Sequence, residues 1–481
     1  MIRTNEQNYS RSHFIKQVHR YRKVLENRKI DSGTRVVLIA DNSYEYIVAL
    51  FSLLNLDCSI VLADSSLSKN EIHNIIEKTN ANYILTNEQL KMDFSEKKLM
   101  LLKAKDSWIS ENDNSKNIFG EWINRKDALI LFTSGSSGDS KGIVKSGKAF
   151  IENIEVSMKV MQYKENDVLL PLLPFSHFYG LSLIFIWWFS KSDIIITNYR
   201  KIRSIFKAIE RFNVTIVDAV PSTYYIIWQL LKRNQHLNNK IKNCNIRMWC
   251  VGGSPLSKKL AKNFFEITGQ HLLDGYGLSE IGNIALNTSS YETGCGQPLS
   301  GIQIRITNEL GKQVSENQVG EIWIKTTYLM QCYLNNPKRT SEVITNGWFK
   351  TNDLGYLDQF NNLFIIGRKD DSFLRKGHIV YPANIEKKIN DLFGFKSKIV
   401  RYDDIKKDSY VLLIIEAKIS DSEKNSLKKS IYREFELMYQ PDHIIFEDEF
   451  PYLSNGKVDL KKLFHISKAW INKTIDFQKS I

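Results

Sequence analysis

A run of small and hydroxylated residues, Thr133-Ser-Gly-Ser-Ser-Gly-Asp-Ser-Lys-Gly142, follows directly on the apolar stretch at residues 129–132. Small side chains let successive backbone amides close on an anion, the hydroxyls add donors, and Lys141 supplies the charge a polyphosphate needs. The spacing is not that of the G-x-x-x-x-G-K-[ST] loop, so kinases and motor-type ATPases are not implied. A Ser/Gly run can also be a plain linker. Leaving an apolar strand and carrying a lysine favours the phosphate role.

Four further segments add chemistry. Asp274-Gly-Tyr-Gly-Leu-Ser-Glu280 sets an aromatic, two glycines and an acid on one short turn. Tyr276 can stack on an adenine, and Glu280 can hold a hard cation such as Mg2+ through oxygen. Thr351-Asn-Asp353 offers a carboxylate suited to accepting ribose hydroxyl protons, and Gly367-Arg368 is followed by Asp370 and Gly377. Ser454-Asn-Gly-Lys457 sets a lysine on a tight turn near the C-terminus. Singly these read as a core tyrosine, a surface acid, a salt-bridged arginine and a hairpin lysine. Their joint order and separation are hard to explain that way.

The elements that must position these residues follow from hydrophobic pattern. Apolar runs at 36–40, 59–63 and 82–86 alternate with helix-length segments at 44–54 and 68–78, the latter opened by Ser68 with Glu71 three residues on. Strands separated by helices imply βαβ units on a parallel sheet. The same rhythm returns from Val168 through 214–217 and 246–251, and the apolar run 181–189 reads as a buried helix before a strand at 194–197. From about Gly294 short alternating strands at 301–306, 320–325 and 362–366 suggest a small antiparallel barrel or sheet. Past Arg368 a helix at 382–393 and a strand at 410–416 make a compact α+β unit.

Composition bounds the rest. The chain has 481 residues, which predicts two to four domains, and its 43% hydrophobic and 25% charged residues are those of a globular protein. Five scattered cysteines without a C-x-x-C pair argue against a disulfide framework or a zinc site and predict a reducing, cytoplasmic setting. Residues 1–14 are polar and lack the apolar core of a signal peptide, and no apolar run reaches the ~20 residues of a membrane span. The net charge of +13 comes from lysines dispersed among acids, with no arginine-rich tract interleaved with aromatics, so a nucleic-acid partner is not expected. A basic face for an acidic partner, or a plain solvated surface, fits better.

Taken together, the motifs resemble the adenylate-forming superfamily of acyl-CoA synthetases, aryl-CoA ligases, peptide-synthetase adenylation domains and firefly-type luciferases. The likeness runs from residue 36 to Lys457. It implies an α/β fold with a large N-terminal domain, residues 1–368, of two doubly wound sheets plus a small β-barrel. A small mobile α+β C-terminal domain, residues 369–481, would carry the adenylation lysine. By resemblance, Thr133, Ser134, Gly135, Ser136, Ser137, Gly138 and Lys141 cradle the ATP β- and γ-phosphates. Gly253, Ser254, Asp274, Gly275, Tyr276 and Gly277 form the adenine site, with Tyr276 as the stacking ring. Ser279 contacts the α-phosphate, Glu280 binds Mg2+, and Asp353 and Arg368 hold the ribose. Asp370 matches the hinge, Lys457 the lysine bridging carboxylate and α-phosphate, and Lys376 a position brought to the thiol-transfer site.

Four positions depart from the family pattern. Ser140 stands where a proline is usual, Leu374 where a lysine is common and Asn384 where a glutamate is common. Asn352 replaces the glycine before the ribose aspartate, so the turn there calls for a left-handed asparagine. The segment Pro174-Phe-Ser-His-Phe-Tyr-Gly180 resembles the one flanking the acyl pocket, which places His177, Phe178 and Tyr179 against the substrate. Phe178 stands where amino-acid activators carry an aspartate, and an apolar ring cannot neutralise a buried ammonium. With Tyr179, Leu181 and the Trp187–Trp188 pair this suggests an apolar pocket for a fatty or aromatic acid, although such tryptophans are more often simply core. The acceptor implied is the pantetheine thiol of CoA or of an acyl carrier protein. The alternatives are an amino-acid-type adenylation enzyme and a non-catalytic nucleotide or acyl sensor of the same fold.

Overall fold

The computed structural model describes residues 1–87, 98–101, 118–133, 141–370, 373–375, 378–380, 382–404, 407–435, 439–453 and 456–479. Ser134, Gly135, Ser136, Ser137, Gly138 and Lys376 lie outside them, as do Ser140 and Gly377.

Runs such as Arg35–Ile39 (RVVLI) and Ser59–Ala63 (SIVLA) have no polar face, so they can only be strands covered on both sides, as parallel sheets are. Among the described residues they belong to a seven-stranded sheet ordered Cys332–Tyr333, Lys141–Lys145, Leu129–Thr133, Ser59–Ala63, Arg35–Ile39, Tyr83–Thr86, Lys98–Leu101. A second, eight-stranded sheet runs Gly282–Leu286, Leu272–Leu278, Met248–Gly252, Ile216–Ala219, Val168–Pro171, Asp193–Ile196, Ile2–Thr4, Asn8–Tyr9. Both are parallel in their centres and antiparallel at the edges that carry Lys141 and Glu280. The expected capping box opens helix Lys69–Thr79: Ser68 caps the Glu71 amide while the Glu71 carboxylate accepts from the Ser68 amide.

Between the two sheets lies helix Phe178–Ser190, apolar on all sides and buried over most of its length, as the run at 181–189 predicts. The Trp pair at its far end is core. Trp187 packs edge-on against Phe14 (5.3 Å between ring centroids), and the Arg11 guanidinium lies 3.9 Å from the Trp188 ring centroid. They stand roughly 13 Å along the helix from Phe178, packed with the core.

Those contacts come from an element the sequence pattern hides. Helix Arg11–Asn27 and strand Ile2–Thr4 arise from the polar stretch read only as lacking a leader. Ile2 is fully buried because its strand adds in parallel to Asp193–Ile196, where Arg3 pairs with Asp193.

The expected small antiparallel barrel or sheet has five strands among the described residues: Ile302–Thr307, Gly320–Thr326, Trp348–Leu357 and Ile344–Thr345, with Leu363–Arg368 beside Trp348–Leu357. The C-terminal unit has its own core, centred on strands Lys396–Asp404, Lys407–Glu416 and His443–Glu447 under helices Pro382–Phe393 and Asp421–Glu434. It rests on helix Pro221–Arg233 of the large part. The Ser222 hydroxyl donates to the Gly456 carbonyl (3.2 Å), and Lys396 Nζ sits 4.6 Å from the Tyr225 ring centroid. Lys396 also donates to the Tyr452 hydroxyl (2.9 Å) beside Glu416 (3.3 Å), so the contact to Tyr225 is held from within the small unit. No helix among the described residues is long and apolar enough to cross a membrane.

Candidate active site

Four segments far apart in sequence converge on one cleft. The antiparallel pairing of Trp348–Leu357 with Leu363–Arg368 puts Asp353 opposite Arg368, and the Arg368 Nη1 donates to Asp353 Oδ1 at 2.8 Å. Asn352 takes the left-handed conformation its position calls for (φ +62°), and Thr351 Oγ1 accepts from the Asp353 amide. Tyr276, on the strand Leu272–Leu278, donates to the other Asp353 oxygen at 2.6 Å. Burial raises the Asp353 carboxyl, and the Arg368 charge and the Tyr276 hydrogen bond act against that rise.

Lys457 enters the same cleft from the C-terminal turn. Its ammonium is pushed below the ordinary lysine range by the surrounding protein and by Arg368, while Asp353 and Glu280 pull it back up. Solvent still reaches the side chain, as expected of a lysine lining an open cleft rather than packed in a core. The turn itself is fixed by Leu453, which exchanges backbone hydrogen bonds with Lys457 and Gly456.

Glu280 occupies the turn between strands Leu272–Leu278 and Gly282–Leu286. Its Oε1 accepts from the Tyr333 hydroxyl at 2.8 Å, and Oε2 has no hydrogen-bond donor among the described residues. Lys141 Nζ lies 5.8 Å from the centroid of that same Tyr333 ring. Thr133 and Lys141 are cross-strand partners at the ends of Leu129–Thr133 and Lys141–Lys145, so both ends of the Ser/Gly run are anchored beside Glu280. Gly253 and Ser254 follow strand Met248–Gly252, whose neighbour carries Asp274, Gly275, Tyr276 and Gly277. Ser279 stands one residue before Glu280, and Asp370 is exposed just past Arg368.

The model of the AMP-binding enzyme family matches residues 1–334, more than half of the chain. The chain belongs to this family. It is 26% identical over 441 residues to 2-succinylbenzoate–CoA ligase of Lactococcus lactis, which spans 90% of this chain and 91% of that protein. It is 23% identical over 489 residues to a long-chain-fatty-acid–CoA ligase of Escherichia coli O157:H7, spanning 90% and 85%. Its fold matches o-succinylbenzoate CoA synthetase of Bacillus subtilis in complex with ATP and magnesium ion, with TM-score 0.80, 21% identity and coverage of 95% and 94%.

In this AMP-binding enzyme the predicted acyl-site residues divide. His177 caps helix Phe178–Ser190, and its Nε2 stands 3.4 Å from Asp64 Oδ2. Asp64 follows strand Ser59–Ala63, so this pair ties one large sheet to the helix packed on the other. Burial alone would lift the Asp64 carboxyl, but His177 and Ser66 hold it below the usual carboxylate range. Phe178 is buried edge-on to Phe150 (5.6 Å) and faces Lys145. Tyr179 points the other way, and its hydroxyl donates to buried Asp218 at 3.0 Å.

Asp64, Lys145, Asp218 and Tyr333 were not found from the sequence. Lys145 is fully buried, donating to the Ile281 and Tyr328 carbonyls at 2.7 and 2.6 Å. Burial takes its ammonium down to about 7, against the pull of Glu280. The available signal was a lysine interrupting an apolar strand. For Asp64 and Asp218 it was an acid at the C-terminal end of a parallel strand, where α/β folds gather ligands.

Burial raises the Asp218 carboxyl to about 7, with Tyr179 and Cys250 acting against the rise. A raised acid favours folding fully below the ordinary carboxyl value near 4 and loses that contribution as pH climbs through 7. Asp218→Asn is therefore expected to melt higher than the parent at pH 8, by roughly 2–4 °C per kcal/mol recovered. The gain should vanish at pH 4. Thermal melts across that range check it, and a pH-independent difference would remove the charge from the explanation.

Proposed function

We propose that the chain activates an apolar carboxylic acid, fatty or aromatic, with ATP and passes the acyl group to a pantetheine thiol. In the first step a carboxylate oxygen attacks the α-phosphorus, the bond to the β-phosphate breaks and pyrophosphate leaves. In the second the thiol sulfur attacks the acyl carbon of acyl-AMP, the thiol proton is released and AMP departs.

The observation that carries this reading is the entry of Lys457 into the field of Asp353, Arg368 and Glu280. A carboxylate approaching an α-phosphate meets like-charge repulsion, so the step needs positioning and neutralisation of developing negative charge. Lys457 would bridge the two anions. Lys141, with Thr133, Ser134, Gly135, Ser136, Ser137 and Gly138, would cradle the β- and γ-phosphates. Asp353 would accept from the ribose, with Arg368 and Tyr276 fixing its carboxylate. Gly253, Ser254, Asp274, Gly275 and Gly277 would wall the adenine, and Ser279 would contact the α-phosphate.

Glu280 would hold Mg2+. Among the described residues no three His, Cys, Asp or Glu cluster for a metal, and one free carboxylate oxygen beside a phosphate loop suits an ion that takes most of its shell from phosphates and water. When bound, Mg2+ neutralises charge on the polyphosphate.

His177, Phe178 and Tyr179 would line the acid site, the Asp64 pairing fixing the His177 ring. After adenylation the small domain, from residue 369, would turn about Asp370, withdraw Lys457 and bring Lys376 toward the thiol. The acceptor is CoA or the phosphopantetheine arm of an acyl carrier protein, an acidic type of partner that a chain of net charge +13 would suit. The cytoplasm, where five unpaired cysteines stay reduced, is the setting that fits.

Incubation with ATP, Mg2+, a panel of fatty and aromatic acids, and either CoA or a carrier protein bearing its pantetheine arm tests the whole sequence by mass spectrometry. An acyl thioester on one acceptor supports the reading and names the acceptor. AMP release without a thioester on either one would remove the transfer step.

A further inference from the structure

The buried carboxylates of this chain are not alike. Asp167, 3% exposed, has every side served: Arg247 donates to both oxygens (2.8 and 2.6 Å), the Thr215 hydroxyl to one and the Lys164 amide to the other. Asp64 receives the Ser66 amide and hydroxyl and the Ser176 hydroxyl. Asp218 is 1% exposed, yet only Oδ1 has a strong donor, the Tyr179 hydroxyl, with the Cys250 thiol a weak neighbour. Its Oδ2 has no hydrogen-bonding partner among the described residues. A carboxylate kept for structure alone is normally satisfied on both oxygens.

Its place in the fold is a covered sheet face close to the proposed nucleotide site. Asp218 stands opposite Cys250 in the parallel register, two residues short of Gly252, on the sheet face covered by helix Phe178–Ser190. The Tyr179 ring spans that interval. Its Cε1 would lie 3.1 Å from a Cβ at Gly252, and its hydroxyl reaches Asp218. Gly252 borders Gly253 and pairs with Gly275, both in the proposed nucleotide site. A ligand lying along Tyr179 with its reacting end at the nucleotide would thus bring its far end to Asp218.

We propose that Asp218 is a specificity-determining residue that receives a hydrogen-bond donor, a hydroxyl or an amino group, at the end of the acid substrate remote from its carboxylate. This rests on the activation reading above and narrows its substrate class to an acid with an apolar body and a polar tip. It also changes the meaning of Phe178: the ring excludes an ammonium beside the carboxylate while Asp218 accepts one at the opposite end.

The test compares acids in matched sets by acid-dependent pyrophosphate exchange: phenylpropanoic acid with its para-hydroxy and para-amino forms, and octanoic acid with its terminal hydroxy and amino forms. The parent chain should favour a tipped acid over its plain analogue by about a hundredfold in kcat/KM, because an unmet buried acceptor penalises the plain one. Asp218→Leu should collapse that ratio to near one. Asp218→Asn, which keeps the shape, should retain a hydroxyl preference and lose any preference for the amino form, and it carries the test if the leucine variant does not fold by circular dichroism. Equal use of tipped and plain acids by the parent, or a preference that survives Asp218→Leu, overturns the assignment and leaves the activation reading intact. Exchange with no acid in either set overturns both.

Discussion

Lys457→Ala should lose acyl-AMP formation by about 10²–10³-fold, the scale set by removing one charge-stabilising donor from a transition state. ATP binding should survive, because the groups that would hold the ribose do not depend on the lysine. Asp353 is fixed by Tyr276 and Arg368 from within the large part of the chain. The same variant should still pass an acyl group from supplied acyl-AMP to a thiol, since that step is proposed to follow withdrawal of Lys457. Equilibrium binding of ATP and single-turnover formation of acyl-AMP separate these readouts. A variant that no longer binds ATP would move Lys457 from the bridging role to a nucleotide-holding one.

The second large effect is expected at Glu280. Glu280→Gln keeps an oxygen to accept from Tyr333, so local geometry is retained while the charge is lost. Activation should fall by about 10²-fold or more, with a rise in the Mg2+ concentration needed for half-maximal rate. Tyr333→Phe removes one hydrogen bond to the same carboxylate and should cost less than about tenfold. The pair separates charge from positioning. Equal losses would mean that Glu280 acts through its hydrogen bond, and an unchanged Mg2+ requirement in Glu280→Gln would place the ion elsewhere.

Much of the fold was legible because the chain states it locally. Arg35–Ile39 and Ser59–Ala63 carry no polar face, Ser68 and Glu71 write a helix start, and the run before Ser190 is apolar all round. The strand Ile2–Thr4 carries no such statement. Three residues in a polar stretch become a strand only because an open sheet edge at Asp193–Ile196 receives them. The same distinction divides the site. Tyr276, Glu280, Asp353, Arg368 and Lys457 were visible from motif order, and Asn352 even from the conformation its position demands. Asp64, Asp218 and Lys145 gain their meaning from partners 39 to 183 residues away, such as Tyr179 for Asp218 and Tyr328 for Lys145, and no short window of sequence holds both. The Trp187–Trp188 pair takes the core reading, since large rings are what a core needs, and helix Arg11–Asn27, which packs on them, was not foreseen.

This cleft is proposed to join a carboxylic acid to the α-phosphate of ATP. Exchange of labelled pyrophosphate into ATP, measured with and without added acids, asks that question alone, before any thiol is involved. The expected result is exchange that requires both Mg2+ and an acid with an apolar body, and that disappears in Lys457→Ala while ATP binding persists. Absence of exchange with every fatty, aromatic and amino acid supplied, in a folded chain that binds ATP, would contradict it and leave a nucleotide-binding protein of this fold without the activation step.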